Sequence, residues 1–158
     1  MSHFKPLPAL ADLKKELSYD PETGEFTWII SRRGVRIGTT AGNRNKRGYL
    51  SIYFRSIPYK AHRLAWLYLT GADPEHLEVD HRDRVPSNNR ANNLRIATGG
   101  QNSLNRVRKG YTKRRGKYVA RLWHQGKYLH IGTFATAEEA HQAYLDKASE
   151  LRGEWFAA

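Results

Sequence analysis

Residues 78–105 read EVDHRDRVPSNNRANNLRIATGGQNSLN. An Asp80–His81 pair stands ahead of a stretch, Ser87 to Asn102, that contains five Asn. These residue types suit hydrolysis of a phosphodiester, which needs a nucleophilic water, neutralised charge and a stabilised leaving oxygen. His81 is of the residue type that can take a proton from water. Its other ring nitrogen needs a fixed partner, and the side-chain oxygen of Asn93 can provide it. Asp80 and Asn102 are oxygen donors suited to a hard divalent cation, Mg2+ (or Mn2+). Two protein ligands suffice, because such an ion keeps waters and takes phosphate oxygens as well. The chain has no Cys, so no thiolate zinc site is available and no zinc is expected.

The surrounding pattern must bring these residues together. Glu78 to His81 reads as a strand, Asn93 to Ala97 as a second, and the Pro, Ser and Asn between them as a long loop. Thr98 and Gln101 have capping-box spacing, so a helix should begin there and carry Asn102 in its first turn. Upstream, Pro8 to Tyr19 reads as a short helix. Asp20–Gly24 is a turn, and Glu25 to Ile30 a strand. Residues 31–47 form a basic loop. In Gly48–Phe54, Leu50, Ile52 and Phe54 alternate with polar positions, a half-buried strand. A further short strand follows the turn near Ser56, and Ala61 to Thr70 is an apolar helix stopped by Gly71.

The character changes after Arg106. Gly110–Arg115, Lys117–His124 and Lys127–Ile131 read as three strands, with turns at Gly116 and Gln125–Gly126. Thr136 and Glu139 form a capping box for a last helix, which has Ala140, Tyr144, Ala148 and Leu151 on one face. The class is therefore α+β, in three segments: an N-terminal extension over 1–75, a core over 76–107 and a sheet-plus-helix module over 108–158.

The formal net charge of +12 points to a polyanionic partner. No Asp or Glu occurs between Phe26 and Ala72, nor between Arg84 and Ala137, although both blocks are rich in Lys and Arg. A solvated face interleaves both signs, so these blocks read as binding surface. Arg32, Arg33, Arg44, Lys46 and Arg47 are candidates to grip phosphate, although this region reads equally as a structural extension that covers the core. Arg95 suits either a phosphate contact or an ion pair with an acid such as Asp83. His62, beside an Arg on an apolar helix, reads as a buried structural histidine. No apolar run spans a bilayer and no signal-peptide pattern is present, so a cytoplasmic, membrane-free protein is expected. There is no heptad seam, and a monomer is expected; the charge points to nucleic acid first and an anionic membrane second.

The run AHRLAW (61–66), G-x-x-P (71–74), VDH (79–81), NNR-x-NNLR-x-AT (88–98) and QN-x-x-N (101–105) resembles the HNH, or ββα-metal, endonucleases of the phage and intron homing type. The resemblance implies metal-dependent cleavage of double-stranded DNA, in a bacterial host cell if the gene is phage-borne. It makes Asp80 and Asn102 metal ligands, His81 the general base and Asn93 its support. Asn102 departs from a strict pattern, and Asn105, one helical turn on, is the competing ligand. The Cys pairs of some relatives are absent, so packing alone must hold this core. Singly, each of these residues is more often structural, but the ordered set favours the nuclease over a DNA-binding regulator with a decayed site.

Residues 110–156 resemble the APETALA or ethylene-response DNA-binding domain through GKYVARL (116–122), GTF (132–134) and TAEEAHQAYLDKASELRGE (136–154). That resemblance implies a sheet that enters the major groove. By position, Lys113, Arg114, Arg115, Lys117, Arg121, Trp123 and Lys127 are the candidate contacts. Arg121 and Trp123 stand where plant members often carry an acid and an Arg, so the base-reading code does not transfer.

Overall fold

In the computed structural model, which describes residues 5–156, the chain opens with α1 (Leu10–Glu16), β1 (Leu17–Tyr19) and β2 (Phe26–Trp28). The expected helix over 8–19 is thus shorter. Leu17 turns extended, and residues 17–19 pair antiparallel with Trp28, Thr27 and Phe26. The ladder satisfies backbone groups that a helix end would leave open, and it buries Leu17 and Phe26.

The basic loop contributes β3 (Asn43–Arg44) to a sheet in the order β3-β4-β5, with β4 (Leu50–Phe54) and β5 (Ile57–Lys60). Ile52 and Phe54 are buried and Tyr53 is exposed, as period-two alternation requires. α2 (Ala61–Thr70) follows at once and ends at Gly71, whose φ of 75° is the left-handed cap a glycine favours. β6 (Glu78–His81) and β7 (Leu94–Ala97) form a two-stranded antiparallel sheet, and a short 3-10 turn, Ala91–Asn93, leads into β7.

By compactness the chain divides into two units, Met1–Gly99 and Gly100–Ala158, rather than three segments with breaks at 75 and 107. In the first unit Leu13, Leu17, Phe26, Ile52, Phe54, Leu64, Val79 and Leu94 belong to one core cluster. The N-terminal elements and β6–β7 therefore share a single interior and do not form separable layers. α3 (Gly99–Leu104) falls almost wholly in the second unit. One tie is an Arg152 Nη1 that donates to the Leu104 carbonyl at 3.0 Å.

The rest of the second unit is β8 (Tyr111–Arg114), β9 (Lys117–His124), β10 (Lys127–Phe134) and α4 (Ala137–Arg152). The sheet order is β10-β9-β8. β10 runs past the expected end at Ile131, because a bulge between His130 and Gly132 resets the register and lets residues 132–134 pair with 118–120. The capping box forms as expected: Thr136 Oγ1 accepts from Glu139 N, and Glu139 Oε2 accepts from Thr136 N. Ala140, Tyr144 and Ala148 are buried along one face of α4. No helix among the described residues is long and apolar enough to cross a membrane.

Candidate active site

β6 carries Val79, Asp80 and His81, all buried. Opposite Asp80 in the ladder stands Arg95. Its Nε donates to Asp80 Oδ2 at 2.9 Å, and its Nη2 lies 2.8 Å from the same oxygen. Arg95 and Asp80 are 6% and 7% exposed, so this is a buried ion pair and not a surface one. The ion pair expected of Arg95 therefore forms, and its carboxylate is Asp80, not Asp83. The β6–β7 register puts Asp80 within reach at the cross-strand position and leaves Asp83 beyond the strand end. Losing either partner would strand a buried charge, so the pair fixes where the Asp80 carboxylate points.

His81 is 4% exposed, and its Nε2 lies 3.1 Å from Asn89 Oδ1. The expected ring partner was Asn93, and the structure corrects this. Asn93 is committed to its own loop. Its Nδ2 donates to Asp83 Oδ1 and to the Asn88 carbonyl, and its Oδ1 accepts from Asp83 N. Asn93 thereby closes residues 83–93 into a fixed loop, and that loop delivers Asn89 to the imidazole. In sequence nothing separates Asn89 from Asn88 or Asn92, which are loop residues of the same type.

The N-terminal hairpin holds this loop from outside. Tyr19 Oη donates to the Asn89 carbonyl at 2.7 Å, and Ala91 N donates to the Pro21 carbonyl at 3.0 Å. Gly24, at φ 75°, lies so close that a Cβ there would stand 2.6 Å from Arg90 N and Asn89 C. The turn that brings it there is built by Asp20, which accepts from Glu22 N and Thr23 Oγ1. These bonds hold the Asp20 carboxyl below its ordinary value. The N-terminal segment is in this respect a structural cover for the site.

Two further rings close the pocket of His81. His62 meets it edge to face at 5.0 Å between centroids, and Tyr49 lies 5.5 Å from His62 and 6.0 Å from His81. His62 is buried on α2 as expected, but its Nδ1 has no hydrogen-bond partner. Burial, with smaller electrostatic contributions from His81, Lys60 and Arg63, pushes its pKa down to about 3, so the ring is neutral at physiological pH. For Asp83, burial pushes the carboxyl up. Hydrogen bonds from Val85 N, Asn88 and Asn93, with charge at His81, outweigh that and hold it below its ordinary value.

Asn102 is half-buried on α3, and Asn105, just past its end, is buried; both belong to the second unit. Among the described residues no group of three His, Cys, Asp or Glu side chains clusters as a metal site. Arg33, Arg44, Lys46 and Arg47 are exposed. Arg32 is partly spent: it pairs with Glu16 at 2.9 Å and lies 4.7 Å over the Trp28 ring. In the second unit Lys113, Arg114, Arg115, Lys117, Arg121 and Lys127 are all exposed, and Trp123 is 51% exposed. Arg121 and Trp123 occupy the face of β9 opposite Ala120 and Leu122, which are buried.

Residues 59–104 match the family model for an HNH endonuclease. An uncharacterised HNH endonuclease of Acanthamoeba polyphaga mimivirus is 29% identical over 143 residues, covering 87% of this chain and 68% of that protein. That likeness therefore extends beyond the segment matched by the family model into both flanks. No solved structure matches the chain. The matched segment holds α2 with His62, β6 with Asp80 and His81, the Asn89 loop and β7, so the side chains gathered around His81 lie in the stretch that is similar to an HNH endonuclease, and the protein is a nuclease.

Proposed function

We propose that the protein is a divalent-metal-dependent endonuclease of the phage or intron homing type that hydrolyses phosphodiester bonds in double-stranded DNA. The observation that carries this reading is the setting of His81, a buried imidazole at a strand end with Nε2 on Asn89 Oδ1 at 3.1 Å. With Asn89 accepting from Nε2–H, the neutral ring has its lone pair on Nδ1, and that atom takes the proton from the attacking water. Asn89 and Asn93 are positioning residues, the first through the ring and the second through the loop.

HNH nucleases generally depend on a divalent metal. The donor chemistry here fits one. Asp80 is a carboxylate held in orientation by Arg95. With an amide oxygen from Asn102, or from Asn105 in its place, it would hold a hard cation that takes its remaining ligands from water and phosphate. Such an ion, when bound, neutralises phosphate charge and stabilises the leaving 3′ oxygen. The chain's own work is to hold the base, orient the carboxylate and grip the strand.

Arg33, Arg44, Lys46 and Arg47 supply phosphate contacts beside the site. The second unit, read as an APETALA-type module, supplies site preference through Arg121 and Trp123 and backbone contacts through Lys113, Arg114, Arg115, Lys117 and Lys127. The test is a supercoiled-plasmid assay with Mg2+, Mn2+ or EDTA. Cleavage should require the metal, and His81→Ala should lose on the order of a hundredfold or more in rate with DNA affinity nearly intact. Near-normal turnover by His81→Ala at saturating Mg2+ would sink the assignment.

A further inference from the structure

A cleft of about 470 Å3 opens at the free edge of β9, beyond the point where β8 stops pairing with it. Its chemistry is of two kinds. Tyr111, Trp123 and Tyr128 present flat aromatic surfaces, while Arg108, Arg121 and Arg152 present guanidinium groups. Among the described residues no carboxylate lines it. Trp123 and Tyr128 face each other across β9–β10, with centroids 4.8 Å apart and rings at 67°. They are 51% and 68% exposed, an unusual state for two large rings in contact.

The inner wall adds an independent sign of a ligand. Tyr144 lines the cleft at 2% exposure, and its hydroxyl has no hydrogen-bond partner. The Arg152 Nε, also buried, has none either. Buried hydroxyls and guanidiniums are normally satisfied, and each orphan here can bond a polar edge brought in from outside. Gly110 packs directly against the Tyr144 ring and holds it in place, because a Cβ on it would stand 2.0 Å from Tyr144 Cγ.

Flat rings, several guanidiniums, unpaired polar groups within and no acid are together the complement of a nucleotide: a π face, an anionic phosphate and hydrogen-bonding base edges. We propose that this cleft binds one unpaired nucleotide of a DNA strand. Its base stacks on the Trp123–Tyr128 pair, its edge reaches the Tyr144 hydroxyl, and its phosphate meets Arg108 and Arg121. The volume suits a single nucleotide and not a duplex, whose bases are stacked out of reach. The inference rests on the reading of this unit as DNA-binding and adds a preference for DNA with a base already out of the stack.

The test uses the full chain in EDTA, so that binding is read without cleavage. Three probes are compared by fluorescence: a paired duplex, the same duplex with a one-nucleotide bulge of 2-aminopurine, and free dAMP. The bulged duplex should bind about tenfold tighter than the paired one, with its 2-aminopurine emission quenched by stacking. Tyr128→Ala, on an exposed ring outside the duplex contacts proposed above, should abolish both the preference and the quench while leaving affinity for the paired duplex within about twofold. Tyr144→Phe, which keeps the ring in the core, should reduce the preference severalfold. Equal affinity for paired and bulged duplexes would overturn the proposal. So would a preference that survives both substitutions, since the unpaired base would then lie elsewhere. Binding of dAMP as tight as that of the bulged duplex would make the ligand a free nucleotide and also overturn it. None of these outcomes depends on whether the plasmid is cut, so the two readings fail separately.

Discussion

At the scale of single residues, the geometry of His81 turns on Asn89, which is 1% exposed and offers its Oδ1 to the imidazole. Asn89→Ala removes the acceptor and leaves a buried ring N–H without it. That should cost about 1–3 kcal/mol of stability and lower kcat by roughly 10–100-fold. Asn89→Asp keeps an oxygen at that place and should recover part of kcat. Thermal unfolding and single-turnover cleavage of the two variants check this; equal kcat for Asn89→Ala and wild type would remove Asn89 from the site. His62 makes a second expectation. Its pKa of about 3 in the folded protein lies below its ordinary 6.5, so the unfolded chain takes up a proton in that interval and the folded one does not. Stability of the first unit is therefore full above pH 6.5 and falls as the pH drops toward about 3. Asp83, with its carboxyl held down, acts in the same direction at the acid end of that range. His62→Phe keeps the ring and removes the titration, so denaturant midpoints between pH 7 and 4 should fall less steeply in this variant than in wild type.

At the scale of elements, the site is a loop pinned between two neighbours. β6 and β7 set its ends, and the hairpin β1–β2 with its Asp20 turn presses on its middle. Gly24 is the point of closest approach. Gly24→Ala puts a Cβ into the Asn89–Arg90 backbone at 2.6 Å, where no flexible side chain can give way, and at a φ of 75° that L side chains rarely adopt. The expected cost is roughly 1–3 kcal/mol, with a fall in kcat because Asn89 moves with its backbone. Gly110→Ala is the matching probe in the second unit, where the Cβ would meet the Tyr144 ring. It should impair DNA binding more than the geometry at His81. Cleavage rates at saturating DNA, set beside affinities measured in EDTA, distinguish the two substitutions; identical profiles would show that the hairpin has no special hold on the site.

At the scale of the whole molecule, the net charge of +12 governs how the protein meets DNA. Association should be fast and should weaken steeply with salt, since each phosphate contact releases counterions. Lys127→Ala should lower the log-log salt slope by about one unit and weaken all sequences alike. Arg121→Ala should instead relax preference at one or two base pairs of a randomised cleavage library. If Arg121→Ala also weakens all sequences equally, base readout lies outside the β9 face. The expected monomer, with one His81 site, should cut one strand at a time, so nicked circles should precede linear DNA, with a rate first order in protein.

Local pattern was enough to place most elements. α2 was legible from its apolar run and Gly71, β4 from its alternation, and α4 from its capping box, because each rests on interactions a few residues apart. The Asp80–His81 pair and the two basic blocks were legible for the same reason: they are properties of adjacent residues. Partners far apart in the chain were decided by tertiary structure. Ladder register placed Arg95 on Asp80. Packing by Tyr19, Pro21 and Gly24 selected Asn89 rather than Asn93 as the ring partner of His81. Three amides of one loop are equivalent in sequence, and they become different only when a hairpin about seventy residues upstream in the chain fixes which one can reach the imidazole. The cleft at the edge of β9 was likewise unreadable beforehand, because its rings and guanidiniums come from β8, β9, β10, α4 and the segment before β8, and only the folded sheet sets them around one space.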